Sequence, residues 1–355
     1  MSKLALRVRS FSLCLLGMLA IAPSGFSQTR NPPVSQKAEN QDDVVRVSTT
    51  LVTVTVNARD RHGKVVPTLR QSDFHLFEDG VEQEIVYFDP PKGTDDTPAR
   101  ASSLPLTVAL LLDVSDSTEF KLGQIQQAAI AFIDQLQPDD RVLIIAFDRN
   151  VRVLAEATKD RAALRGAIGR TQTGGGTSLY SAIDIVINNR LKNISGRKTI
   201  VLFTDGVDTA SIGATLDSTI RAASKSDAVV YPVQYNTYGD FADSPSRQTG
   251  VAGGPIITAH ATKNGELATE AYKRATNYLR LLAEITGGHV EYSDSTKNLS
   301  RAFLRIALQL GQQYTLGYYP KNRAVNGSPR QVKVRVDQPK VVVSTRKSYV
   351  YAPRQ

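Results

Sequence analysis

Leu106-Thr107-Val108-Ala109-Leu110-Leu111-Leu112-Asp113-Val114-Ser115-Asp116-Ser117-Thr118 is the stretch that decides the fold of this chain. From Leu106 to Leu112 it is apolar on both faces apart from Thr107, which predicts a strand buried between two layers of a parallel sheet. The run then ends abruptly in a carboxylate and two spaced hydroxyls, Asp113, Ser115 and Ser117. Those three fall just past the strand's carboxyl end, where open α/β sheets hold their ligands. Read with Thr177 and Asp205 further along, they form a set of oxygen donors. Such donors suit magnesium, manganese or calcium rather than zinc or copper.

Outward from that strand, residues 106–311 alternate strands with helices, the pattern of βαβ units. Leu122, Ile125, Ala129, Phe132, Ile133 and Leu136 recur at helical spacing, and Pro138 follows the helix end. Val142 to Phe147 and Thr199 to Phe203 read as buried strands, with a short partner at Val151 to Leu154 and another strand at Ala228 to Tyr235. Ser178 to Asn189, Tyr272 to Ile285 and Leu299 to Leu310 read as helices. Residues 236–270 interrupt the pattern with Gly, Ser, Thr and Asp, an insertion leaving from a strand's carboxyl end.

The flanks have a different period. Residues 45–88 carry Leu51-Val52-Thr53-Val54-Thr55-Val56 in alternation, then Phe74 to Phe77 and Val81 to Phe88 on either side of Asp79-Gly80, a hairpin signal. A Pro-rich linker, 89–105, follows. In the tail, 312–355, Gln313 to Tyr319, Val332 to Asp337 and Val341 to Val350 read as three strands, each with one buried face. The expected fold class is therefore α/β: a Rossmann-like, doubly wound, mostly parallel sheet. Antiparallel β segments flank it and pair into a small β-sandwich.

Residues 1–27 have the form of a secretory signal, with Lys3, Arg7 and Arg9, then an apolar Leu13 to Ala22, then Gly25 and Ser27. Residues 28–44 read as a flexible leader. The expected location is secreted, periplasmic or cell envelope, with no transmembrane span once the signal is cleaved. The single cysteine, Cys14, lies in the signal, which excludes disulfides and thiol chemistry from the mature chain. Cleavage would lower the formal charge of +9 by three. The basic residues are scattered and not interleaved with aromatics, so no nucleic-acid partner is expected. His62, His75, His260 and His289 have no ligand spacing, and Gly174-Gly175-Gly176 lacks the Lys-Ser/Thr of a phosphate loop.

In the expected site Ser115, Ser117 and Thr177 meet the ion through hydroxyls, while Asp113 and Asp205 coordinate it or hold its waters. Mostly neutral ligands leave a cation, magnesium above all, with an electrophilic position that an external Asp or Glu could fill. This arrangement resembles the metal-ion-dependent adhesion site of von Willebrand factor type A domains. The matching elements are Asp113-Val114-Ser115-Asp116-Ser117, Gly175-Gly176-Thr177-Ser178 and Phe203-Thr204-Asp205-Gly206. With Phe77-Glu78-Asp79-Gly80 and Tyr314 to Pro320, the whole chain resembles secreted VWFA-related proteins of acidobacterial type. One departure is Asp116, where many members carry Gly; its carboxylate is expected to face solvent.

The resemblance implies fold and metal; with the open cation position, the expected function is a non-enzymatic, adhesion-type module that captures an acidic group of a partner protein. The rival reading is a metal-dependent phosphatase of the haloacid-dehalogenase type, which needs a second carboxylate where Ser115 stands. A third is a structural envelope protein whose metal site goes unused.

Overall fold

The computed structural model describes residues 51–91, 104–235, 268–293 and 296–351. The signal and leader segments, most of the linker and residues 236–267 of the insertion lie outside the described residues.

Six strands form the central sheet: β5 (Leu106–Asp113), β6 (Arg141–Phe147), β7 (Val151–Thr158), β8 (Arg197–Thr204), β9 (Val229–Tyr235) and β10 (Glu291–Ser293). Their spatial order is β10-β9-β8-β5-β6-β7, parallel throughout except for the edge strand β7. Every residue of β5 is buried, as its two-faced apolar run requires. Val108, Leu110 and Leu112 join the core beneath α1 (Leu122–Gln135), α2 (Arg161–Gly169) and the chain's last helix, α6 (Thr296–Leu310). Ala109 and Leu111 join the opposite core, with α3 (Leu179–Ile185), α4 (Leu216–Lys225) and α5 (Ala268–Thr286). The chain runs from β5 to β6 on one side and places β8 on the other. The crevice between the carboxyl ends of β5 and β8 is thus a topological switch point, the usual ligand position in such sheets.

The flanking segments form two antiparallel four-stranded sheets. One has the order β13 (Val342–Ser344), β1 (Val52–Arg59), β11 (Tyr314–Tyr318), β4 (Tyr87–Asp89). The other runs β14 (Ser348–Val350), β12 (Pro329–Val336), β2 (Phe74–Glu78), β3 (Val81–Gln83). Val54 lies opposite Leu316, and Leu76 opposite Val334. These residues, with Tyr314, Tyr318 and Phe74, make one apolar core between the sheets, so this is the expected sandwich. Inside it, Glu78 pairs with Arg330 at 2.8 Å and accepts from the hydroxyls of Tyr318 (2.7 Å) and Tyr349. The sandwich and the α/β sheet belong to one compact unit. Asn57 of β1 joins them: its amide donates to the Tyr231 hydroxyl at 3.3 Å and its oxygen accepts from Gln309 at 3.0 Å.

Several local expectations are corrected. Val81 to Phe88 is not one strand, because Val86 turns to donate to the Gly317 carbonyl (2.9 Å) and the chain crosses to the other sheet as β4. Val341 to Val350 also divides between the sheets. Thr345 and Arg346 spend their side chains on the Thr55 and Thr53 carbonyls of β1, at 2.9 and 2.8 Å, instead of continuing a ladder. The helix from Ser178 widens into a π-helical turn at Val186–Leu191. Two short helices went unpredicted: α2, capped by Asp160 through the amides of Ala162 and Ala163, and α4, opened by a Thr215/Ser218 capping box.

Candidate metal centre

Asp113 ends β5, and the register pairing Leu112 with Phe203 sets it level with Thr204 at the end of β8. Its carboxylate is fully buried. One oxygen accepts from the Ser115 hydroxyl at 2.6 Å and the Ser115 amide at 3.1 Å; the other accepts from the Thr204 hydroxyl at 2.6 Å. Burial, followed by the negative charge of Asp205, pushes the Asp113 carboxyl up to about 7, against the pull of those hydrogen bonds. Asp205 follows β8 directly and is itself buried. Its Oδ1 accepts from the Val207 amide at 3.0 Å, its Oδ2 lies 3.5 Å from the Tyr272 hydroxyl, and its carbonyl accepts from Gln234 at 3.2 Å.

The third loop is stitched to the other two through backbone. The Gly174 amide donates to the Val114 carbonyl at 2.9 Å, which holds the glycine run beside Ser115. The Thr177 amide donates to the Thr209 hydroxyl at 2.9 Å, and the Thr177 carbonyl accepts from the amides of Thr209 and Ala210, both at 2.9 Å. Thr177, 6% exposed, is thereby fixed between the loops that follow β5 and β8. The glycine run has a steric reason too. A Cβ on Gly174 would meet the Asp148 carboxylate at 2.4 Å, and that carboxylate is held by Arg152 at 2.6 Å and the Asn150 amide at 2.7 Å.

Of the expected ligands, the structure buries Asp113, Ser115 and Asp205 at the ends of β5 and β8, with Asp205 near enough for its charge to act on Asp113, and ties Thr177 to the loop after β8. The side chain of Ser117 lies outside the described residues; its backbone belongs to a 3₁₀ turn at Asp116–Lys121. Asp116 is exposed. Thr204 and Asp148 were missed. Both were visible as polar residues directly ending or following a buried strand, but which loop each would brace depends on sheet order. Among the described residues no three His, Cys, Asp or Glu side chains gather. The donor set is thus two mutually repelling carboxylates with hydroxyls, a hard-cation set that fits a divalent ion whose charge would relieve the repulsion.

A doubly wound sheet with an acid at the end of its central strand defines a class, and the sequence comparison specifies it. Residues 108–207 match the von Willebrand factor type A domain family, and this part of the chain is such a domain. An uncharacterized protein of Synechocystis sp., sll0103, is 36% identical over 107 residues; the match covers 29% of this chain and about a quarter (26%) of that relative. Among solved structures, the chain is similar to the vWF domain of the type V pili tip protein Mfa5 from Porphyromonas gingivalis. The identity is 15%, over 59% of this chain and 96% of that one, at a TM-score of 0.44. It is also similar to a von Willebrand factor type A structure from Catenulispora acidiphila, with 12% identity over 85% of this chain and 74% of that one, at a TM-score of 0.43.

Proposed function

We propose that this protein is an extracytoplasmic binding module that uses a divalent cation, magnesium first, to capture an acidic side chain of a partner protein. The observation that carries the reading is the fully buried Asp113 carboxylate, hydrogen-bonded to the Ser115 and Thr204 hydroxyls and subject to the negative charge of Asp205. Ser115, Ser117 and Thr177 would hold the ion through neutral oxygens, and Asp113 and Asp205 would coordinate it or orient its waters. Ligands of that kind leave the cation's charge incompletely cancelled, which is what an incoming carboxylate needs. The loops are braced by hydrogen bonds of their own, so binding requires little reorganisation of the backbone. Binding is preferred to hydrolysis because both oxygens of Asp113 accept hydrogen bonds and the position two residues on is Ser115, which supplies no general acid. The extracytoplasmic placement rests on the signal-like pattern of residues 1–27. Among the described residues no helix is long and apolar enough to cross a membrane.

The test is capture of partners from the native envelope fraction by the mature protein, with magnesium and with EDTA. Capture lost in EDTA, and lost in a variant carrying Asp113→Ala and Ser115→Ala, is the expected result. Undiminished capture by that variant overturns the mechanism.

A further inference from the structure

A cleft of about 920 Å³ lies at the opposite end of β8 from Asp205, between the α/β sheet and the sandwich. Lys198, near the start of β8, is in its wall; so are the π-helical turn and the loop after it, the end of α4, and β14 with the residues before it. Its volume is that of a small-molecule site, not of a protein–protein groove. Its charged lining is four basic residues to one acid: Lys192, Lys198, Lys225 and Arg346 against Asp227. Asp227 is already paired with Lys198 at 2.7 Å, which leaves the other three cations in surplus.

Arg346 is the telling member. It is 5% exposed, its guanidinium lies 4.7 Å from the centre of the Tyr349 ring, and Nη2 donates to the Thr53 carbonyl at 2.8 Å. Its Nε and Nη1 are buried without any acceptor. Buried guanidinium donors without acceptors are costly, and a charged one more than a neutral one. A fixed, aromatic-stacked arginine is also the residue type that best recognises carboxylate and phosphate oxygens. A π-helical turn in the wall is a second departure from regular structure of the kind that gathers at functional sites.

We propose that this cleft binds a small oxyanion-bearing ligand, its carboxylate or phosphate seated against Arg346 with Lys192 and Lys225 at the mouth. The site is independent of the cation centre and of any partner captured there.

The test is calorimetric and thermal titration of the full mature chain, in EDTA, with two probes: succinate and inorganic phosphate. Binding of either supports the proposal, and their relative affinity tells which oxyanion the cleft prefers. Lys192→Glu combined with Lys225→Glu changes only exposed positions, and it should weaken binding about tenfold or more; Arg346→Gln should do the same. The double variant Asp113→Ala, Ser115→Ala should leave probe binding unchanged, which separates this site from the cation-dependent reading. Two results would overturn it: neither probe binding the unaltered chain, or binding that persists undiminished in both cleft variants.

Discussion

The Thr204 hydroxyl donates to the Asp113 carboxylate at 2.6 Å across two neighbouring parallel strands. This bond ties the acid that ends the central strand to the strand that delivers Asp205, before any ion is considered. It also shares Asp113 between Thr204 and Ser115, one oxygen each, which fixes the plane of the carboxylate.

Replacing Thr204 with Val keeps the shape and removes the donor. A buried carboxylate oxygen then goes unsatisfied, and the loss is expected to be about 1–3 kcal/mol of stability. Magnesium affinity should fall with it, because Asp113 is no longer oriented. Urea denaturation and calorimetric titration check the two effects; a variant with unchanged midpoint and unchanged affinity would remove Thr204 from the site.

The raised carboxyl of Asp113 sets a pH dependence whose sign is unusual for an acid. Between the ordinary value of 3.8 and about 7 the folded state holds a proton that the unfolded chain has released. This group's contribution is therefore fully present below 3.8 and declines as pH rises toward 7. A cation competes with the same proton, so the rise in melting temperature on adding magnesium should grow across that window and level off above it. Thermal scans from acid to neutral pH, with magnesium and with EDTA, read this directly. A magnesium effect independent of pH, or one retained in Asp113→Asn, would contradict it.

Gly174→Ala should act through sterics alone. Its new Cβ would press on an Asp148 carboxylate that Arg152 and the Asn150 amide already hold, so the glycine loop must shift and carry Thr177 with it. The expected outcome is a destabilisation of about 1–3 kcal/mol and a weakened metal response, measured by denaturation with and without magnesium. Gly63→Ala serves as the control: it also replaces a loop glycine but meets nothing within 4 Å. It carries the strain of a positive φ and should leave the metal response intact.

Within the sandwich, Arg330→Met should destabilise the protein by about 3–5 kcal/mol. It leaves Glu78 charged at 2% exposure, with only the Tyr318 and Tyr349 hydroxyls for company. The companion change Glu78→Gln with Arg330→Met should recover part of the loss, since the uncompensated charge is gone. Paired denaturation curves decide this, and equal instability of single and double variants would show that the ion pair is not the cause.

Periodicity alone made the architecture legible. Six apolar residues among the seven before Asp113 require two covering layers, and strict alternation in Val52 to Val56 and Val332 to Val336 requires one. These are local consequences of where each side chain points, so they can be read along the chain. The oxygen-bearing residues at strand ends were legible for the same reason. Pairing was not, because it is a long-range choice. That Asp113 meets Thr204, that β1 binds β11 more than 250 residues away, and that Val341 to Val350 divides between two sheets all follow from which strands become neighbours. Sheet order also decides that two acids 92 residues apart act on one another, and that Arg346 lines a cleft wall while bonded to Thr53. The residue types came from the sequence; their meeting, and hence the electrostatics around Asp113 and around Arg346, exists only once the sheets close.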